Sequence, residues 1–414
     1  MSFCIRCSSV FLSCLLSISM ITGAQEKIFF EPKSARGGLQ SDFIEYKDIV
    51  VFETSRESRF DDFCQIIPAG NNYIVMDYSN KKILLFDKKG KYLKQVKFKE
   101  RIGSLQYNKE QNRLEAISLN KAYELSQKDY AQIIEHFDNP KNWKYFRKYY
   151  LDLNDTSHLI FRRQQINGLE MMRAEPFVND LKIISKVTID KNFDSQEDYE
   201  IKIFKADTLL KKYFPYNRRN DSRYIFEDFS INVSATDRAD HKWITRPYDY
   251  MVYQLTPDSL YGVYNFILPI DRAMPLDFYT TDFKDKTEKN NYKRQNKKLI
   301  SHLSVNTISN RFLQLRLQSL GYENKGYLFD AETKVIYDNE KISPDSLTFQ
   351  LPLLNNWAYS DNKMHFIKLT AKTVLEMIAS GKTKNITYPD KLEMYLKTAD
   401  KNTNPVLIYY TYKN

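Results

Sequence analysis

Ile83-Leu84-Leu85-Phe86-Asp87-Lys88-Lys89-Gly90-Lys91-Tyr92 is the stretch whose reading decides the fold. An apolar run ends in an aspartate, two lysines and a glycine turn the chain, and a tyrosine starts the next run. Apolar residues bounded by such turn signals read as two strands of a hairpin. Looser copies follow at Tyr123-Glu124-Leu125-Ser126, Ile203-Phe204-Lys205-Ala206-Asp207, Tyr253-Gln254-Leu255-Thr256-Pro257, Tyr327-Leu328-Phe329-Asp330-Ala331 and Phe366-Ile367-Lys368-Leu369. A hairpin recurring at intervals of about 40 residues points to a radial repeat, the β-propeller. The anchor positions Phe86, Leu125, Phe204, Leu255, Phe329 and Leu369 are unevenly spaced. The gap from Leu125 to Phe204 is 79 residues against 39 for the first, so it has room for a further copy. The positions allow five to seven blades.

Around the first copy, four strands are expected between Cys64 and Val96, enough for one four-stranded blade. Asp48 to Glu53 reads as an earlier strand, and Ile49 to Phe52 is the candidate to complete the last blade and close the ring. After Asp138-Asn139-Pro140, the residues Trp143, Phe146 and Tyr149 fit a helix, but the same stretch also fits a strand running into Leu153. Asp285 to Lys298 is a charge run, expected as an exposed helix or loop near 284–300. Short helices are expected at Thr373 to Ala379 and Asp390 to Thr398.

The first 24 residues read as a secretory signal: Arg6, then a small and apolar run from Ser8 to Gly23, with cleavage after Ala24. The run is short for a membrane span, and a lipoprotein reading at Cys14 leaves too little apolar chain before it. Residues 25–47 are expected to be a polar, irregular leader and 48–414 the propeller. Three of the four cysteines lie in the signal, so the mature chain keeps Cys64 alone and forms no internal disulfide. That suits a bacterial envelope better than a eukaryotic secretory route. Formal net charge is +10, and basic residues are mostly interspersed with acidic ones. An exported chain without a basic groove is not expected to bind nucleic acid.

The pattern resembles the six-bladed β-propeller proteins of the Bacteroidetes cell envelope. Three stretches carry the resemblance: Tyr73 to Tyr78 with Lys82 to Tyr92; Leu210-Lys211-Lys212-Tyr213-Phe214-Pro215-Tyr216 with Arg246 to Leu255; and Gly326-Tyr327-Leu328-Phe329-Asp330. It implies an exported, all-β propeller, six blades of antiparallel four-stranded sheets with a few short helical insertions, and supplies no activity. The Gly-rich turn usual after the first blade is missing from Lys99-Glu100-Arg101-Ile102-Gly103-Ser104, so a function tied to that loop does not carry over.

No catalytic motif is present. The five histidines, His136, His158, His241, His302 and His365, show no metal-ligand spacing. Asp152-Leu153-Asn154-Asp155 lacks the glycine and distant glutamate of a calcium loop and reads as a turn. Neither metal nor cofactor is expected. The richest polar cluster is Tyr216-Asn217-Arg218-Arg219-Asn220-Asp221-Ser222-Arg223, followed by Trp243, Arg246, Tyr248 and Asp249. Guanidinium forks and aromatic faces together suit sugars, carboxylates or peptides. Arg218, Arg219, Arg223, Trp243, Arg246, Tyr248 and Asp249 are therefore the candidate ligand-binding residues, against the alternative of a solvated loop beside a structural strand. The expected role is a binding or interaction module for a glycan, peptide or partner protein at the cell envelope. The alternatives are a polysaccharide hydrolase or lyase at the propeller mouth and a structural scaffold.

Overall fold

The computed structural model describes residues 25–98, 100–109, 111–119, 125–126, 128–129, 133, 140–155, 160–164, 174–187, 198–216, 221–224, 226, 229–236, 238–354, 359–361, 364–379 and 386–413. Three strands come first: β1 (Glu26–Phe29), β2 (Arg36–Leu39) and β3 (Ile44–Val51), with a short helix α1 (Gln40–Phe43) before the third. Blade 1 is β4 (Cys64–Ala69), β5 (Asn72–Asp77), β6 (Lys82–Asp87) and β7 (Tyr92–Lys97). Blade 2 is β8 (Arg101–Asn108), β9 (Arg113–Leu119), β10 (Phe146–Asp152) and β11 (Phe161–Gln164). Blade 3 takes β12 (Glu175–Pro176), β13 (Leu181–Ile184), β15 (Asp198–Lys205) and β16 (Thr208–Tyr216). A two-residue strand β14 (Lys186–Val187) leaves that blade to pair with β17 (Phe229–Ser230).

Blade 4 is β18 (Asn232–Ala235), β19 (Lys242–Thr245), β20 (Met251–Leu255) and β21 (Leu260–Ile267). Helix α2 (Lys286–Gln295) lies in the connection to blade 5, which is β22 (Ile300–Thr307), β23 (Phe312–Ser319), β24 (Asn324–Asp330) and β25 (Ile336–Ser343). Blade 6 has β26 (Tyr359–Asp361), β27 (Met364–Leu369) and β28 (Val406–Tyr412), with α3 (Ala371–Ala379) and α4 (Asp390–Thr398) between the last two. The six blades are antiparallel meanders, and the first strand of each is nearest the axis. Asn232 Nδ2 and Ser234 Oγ of β18 both donate to the Val305 carbonyl of β22, joining the inner strands of adjacent blades.

Closure works as the sequence suggests. β3 pairs antiparallel with β28, Ile49 opposite Ile408, and supplies the outer strand of blade 6. The expected irregular leader is different. β1 adds in parallel to the outer edge of β21, and β2 adds in parallel to β25. The segment is a strap along the rims of blades 4 and 5. It is polar because most of its side chains face water, while Ile28 and Phe30 are buried between the blades. Phe30 packs edge-on against Tyr327 at 4.8 Å and Phe266 at 6.2 Å.

The repeat also differs in detail. Leu125 sits in a bend, and the third strand of blade 2 is β10, after a 3-10 turn at Pro140–Tyr145. Both readings of that stretch therefore hold in part: a helical turn, then a strand. Phe86, Phe204, Leu255 and Phe329 occupy third strands, whereas Leu369 ends the second strand of blade 6. The copies mark buried strands in general, because both faces of a blade strand are covered by neighbouring blades. Leu84, Leu315, Phe366 and Leu407 are accordingly all buried.

A meander places its first-to-second and third-to-fourth turns on one face and all other connections on the opposite face. The first set is short: Gly70 at φ +57 and Gly90 at φ +83 make two of these turns. The second set carries α2, α3, α4, the 3-10 turn of blade 2 and residues 221–224 and 226 between β16 and β17. That second, loop-bearing face is where chemistry could be built.

Candidate functional site

The polar cluster lies on the loop-bearing face between blades 3 and 4. Glu200 stands at the start of β15, and Arg246 follows the end of β19. Both positions adjoin second-to-third-strand connections, so the two side chains meet across the blade boundary. Arg246 Nε donates to Glu200 Oε2 at 2.6 Å, and Nη2 donates to Oε1 at 2.8 Å. Its remaining Nη1 donates to Asp249 Oδ2 at 2.9 Å. Tyr253 Oη donates to the same Asp249 oxygen at 2.9 Å, and Tyr224 Oη donates to Glu200. The guanidinium carbon lies 4.0 Å from the centre of the Phe214 ring. Two carboxylates around one buried guanidinium hold its pKa above the ordinary arginine value, although burial alone would lower it.

Beside this network Arg223 forms a fork with Asp221. Nη2 donates to Oδ2 at 2.6 Å and Nε to both oxygens at 3.0 Å. The Arg223 guanidinium lies 5.2 Å from the Tyr224 ring and 5.8 Å from the Tyr279 ring. Tyr224 in turn stacks on Tyr216 at 4.4 Å. Unlike Glu200 and Arg246, the Arg223–Asp221 pair is partly exposed. Burial pushes the Tyr253 and Tyr279 hydroxyls up to about 12, so both remain protonated donors.

Below the pair, Lys289 of α2 is only 1% exposed. Its Nζ donates to the carbonyls of Ser222 at 2.7 Å and Arg223 at 3.3 Å. This ties the blade 4–5 insertion to the turn that carries Arg223. Burial drives the Lys289 amine down to about 7, with Asp221 pulling the other way. The expected exposed charge run is thus a helix with one face committed to the protein body.

The sequence-derived candidates separate. Arg223, Arg246 and Asp249 come together. Tyr248 is buried beneath them, its ring 5.0 Å from Phe278 and its carbonyl accepting from Tyr279 Oη at 2.7 Å. Trp243 lies elsewhere: its Nε1 donates to Thr307 Oγ1 at 2.6 Å inside the core between blades 4 and 5. Arg218 and Arg219 fall outside the described residues. Glu200, Tyr253, Phe214, Tyr279 and Lys289 were not singled out as site residues, because they sit in strands read only for their hairpin pattern, in a 3-10 turn or in a charge run.

Chemically, Glu200 and Asp249 both accept hydrogen bonds from Arg246. What reaches solvent is a guanidinium, a carboxylate and aromatic edges. Cys64 is set apart in blade 1, where burial pushes its thiol up to about 11 and so away from nucleophilic use. Asp152 Oδ1 accepts from the main-chain and side-chain nitrogens of Asn154, a turn. His241 Nδ1 pairs with Asp240 at 2.7 Å, and His365 Nε2 donates to the Ile308 carbonyl at 2.7 Å. Among the described residues no group of three or more His, Cys, Asp or Glu is placed to hold a metal ion, and no helix is long and apolar enough to cross a membrane.

These features define a six-bladed β-propeller with a polar, aromatic-lined cluster on its loop-bearing face. No protein-family model matches the chain, and no curated protein matches it. Among solved structures, it is similar to an inferred exported protein of Bacteroides fragilis, at 15% identity and a TM-score of 0.56, over 94% of this chain and 100% of the other. It also aligns with a member of the DUF4221 family from Bacteroides vulgatus, at 7% identity and a TM-score of 0.43, over 90% of this chain and 98% of the other. At such identities the likeness is one of fold.

Proposed function

We propose that this chain is an exported binding module of the cell envelope, taking a glycan, peptide or partner protein on the loop-bearing face between blades 3 and 4. One observation carries the reading: Arg223 is partly exposed, aligned by Asp221 and set beside the half-buried ring of Tyr279, with the buried Tyr224 ring supporting it from within. A cation fixed beside an aromatic ring gives a ligand both hydrogen-bond donors and a surface to pack on. Arg246, Asp249 and Tyr248 form the platform behind it, so the contact residue is pre-organised and loses little entropy on binding. The signal-like residues 1–24 support export, with the mature chain starting at Gln25 in the periplasm or at the cell surface.

Purified mature protein on glycan and peptide arrays tests the reading. Specific binding that R223A abolishes, at unchanged thermal stability, is the expected result. Silence on both arrays, together with cleavage of a polysaccharide, would instead establish the hydrolase or lyase. Export is checked separately by N-terminal sequencing of the protein from the envelope fraction, where Gln25 is expected as the first residue.

A further inference from the structure

The connection from β21 to β22 contains seven basic and two acidic side chains between Lys284 and Lys298, half the formal net charge of +10 in 15 residues. Lys289 is consumed inside the fold. Lys284, Lys286, Arg294, Lys297 and Lys298 are exposed and carry no ion pair among the described residues. The same insertion raises two aliphatic side chains into solvent: Ile270 is 96% exposed and Leu276 86%. Tyr322, 71% exposed, lies in the turn between β23 and β24. That turn is bonded to the insertion, with Gly321 N donating to the Lys297 carbonyl at 3.0 Å and Leu320 N to that of Leu299 at 2.8 Å. Leu320 packs with Met274, Phe278 and Phe283 in a small core, and the Lys289 bonds to Ser222 and Arg223 pin α2 to the neighbouring blade. The charges and apolar tips therefore sit on one rigid platform.

We infer that this insertion is a docking surface for an anionic lipid bilayer. A solvent-facing cluster of lysines and arginine is attracted to negatively charged headgroups, and each cation near such a surface adds to the binding. Isolated, protruding Ile and Leu side chains gain by entering the acyl boundary, while a tyrosine suits the interface between headgroups and tails. An acidic protein partner would match the charge, but it would need pockets for two separate aliphatic tips. A bilayer accepts them anywhere. The inference does not rest on the ligand proposed for Arg223: the insertion meets that pair through buried Lys289 and the Tyr279 ring, neither of which is argued to meet the bilayer.

Co-sedimentation of the mature protein with vesicles tests it, using phosphatidylcholine alone and phosphatidylcholine with phosphatidylglycerol. Pelleting is expected with the anionic vesicles only, and raised salt should release the protein. K297E/K298E and, separately, I270D/L276D should each weaken pelleting at least ~tenfold. All four side chains are exposed, so both variants should keep the native melting temperature, and the salt titration of the unaltered protein stands even if one does not. No pelleting at low salt, or equal pelleting with neutral vesicles, overturns the inference. Binding of a polyglutamate peptide together with vesicle binding untouched by I270D/L276D would also overturn it, in favour of an acidic protein partner.

Discussion

Arg246 and Glu200 belong to neighbouring blades, 46 residues apart in the chain, and close a two-pronged ion pair at 2.6 and 2.8 Å. Both partners are buried, so the pair is safe only while complete. Removing one side leaves a charge in a site that water does not reach. R246M is therefore expected to destabilise the protein by ~3–5 kcal/mol in chemical denaturation. The double variant E200L/R246M should recover much of that loss, since the buried carboxylate goes with its partner, while the partly exposed Asp249 keeps Met251 N and Tyr253 Oη as donors. A double variant as unstable as the single one would show that the pair contributes through packing with Phe214 rather than charge.

Lys289 makes stability depend on pH. Its amine is held at about 7 in the fold against an ordinary value of 10.5. Between those values the unfolded chain binds more protons than the folded one, so unfolding free energy rises with pH across that window. The contribution is complete above the unfolded value and is lost as pH falls through about 7. K289M should flatten the slope of unfolding free energy between pH 7 and 10 relative to the unaltered protein. Equal slopes would show that the amine titrates normally.

The strap predicts a separation between closing the ring and covering its rim. F30A removes a ring wedged against Tyr327 and Phe266 and should cost ~3–5 kcal/mol. Deleting residues 25–39 keeps β3 and the closure of blade 6, but it bares the outer edges of β21 and β25. Unpaired edges recruit other strands. The deletion variant should stay β-rich by circular dichroism yet elute as oligomers in size-exclusion chromatography. A monomer of unchanged stability would show that the strap is dispensable.

Among the described residues, Gly90 is the one turn glycine whose side-chain position is occupied by the closing strand. Its φ is +83, and a Cβ there would stand 2.1 Å from the Val51 carbonyl oxygen. G90A combines backbone strain of ~1–3 kcal/mol with displacement of the end of β3. A fall in melting temperature larger than that of G70A is expected, because Gly70, at φ +57, has no atom closer than 3.4 Å to the same position. Equal losses at the two sites would mean that strain alone acts.

Much of the fold could be read from local chemistry. The hairpin at Ile83 to Tyr92, the closing strand around Ile49 and the first blade from Cys64 to Lys97 all follow from apolar runs and turn residues near one another in sequence. The site was legible only in part. Arg223, Arg246 and Asp249 stood out because arginines and aromatics crowd irregular segments. Trp243 looked alike in sequence but faces the core, as the period of a strand only says that alternate residues share a face.

The amino-acid sequence by itself determined most of the blade strands, their turns and the radial repeat, because a hairpin depends on residues a few positions apart. Tertiary structure decided the rest. A polar segment became a strap because two outer strand edges were open to it, and the charge run became an anchored helix because Lys289 found carbonyls in another connection. Glu200 gained its meaning only when blade 3 came to lie against blade 4. Pairings of that kind depend on the rotation between blades, which no local pattern encodes.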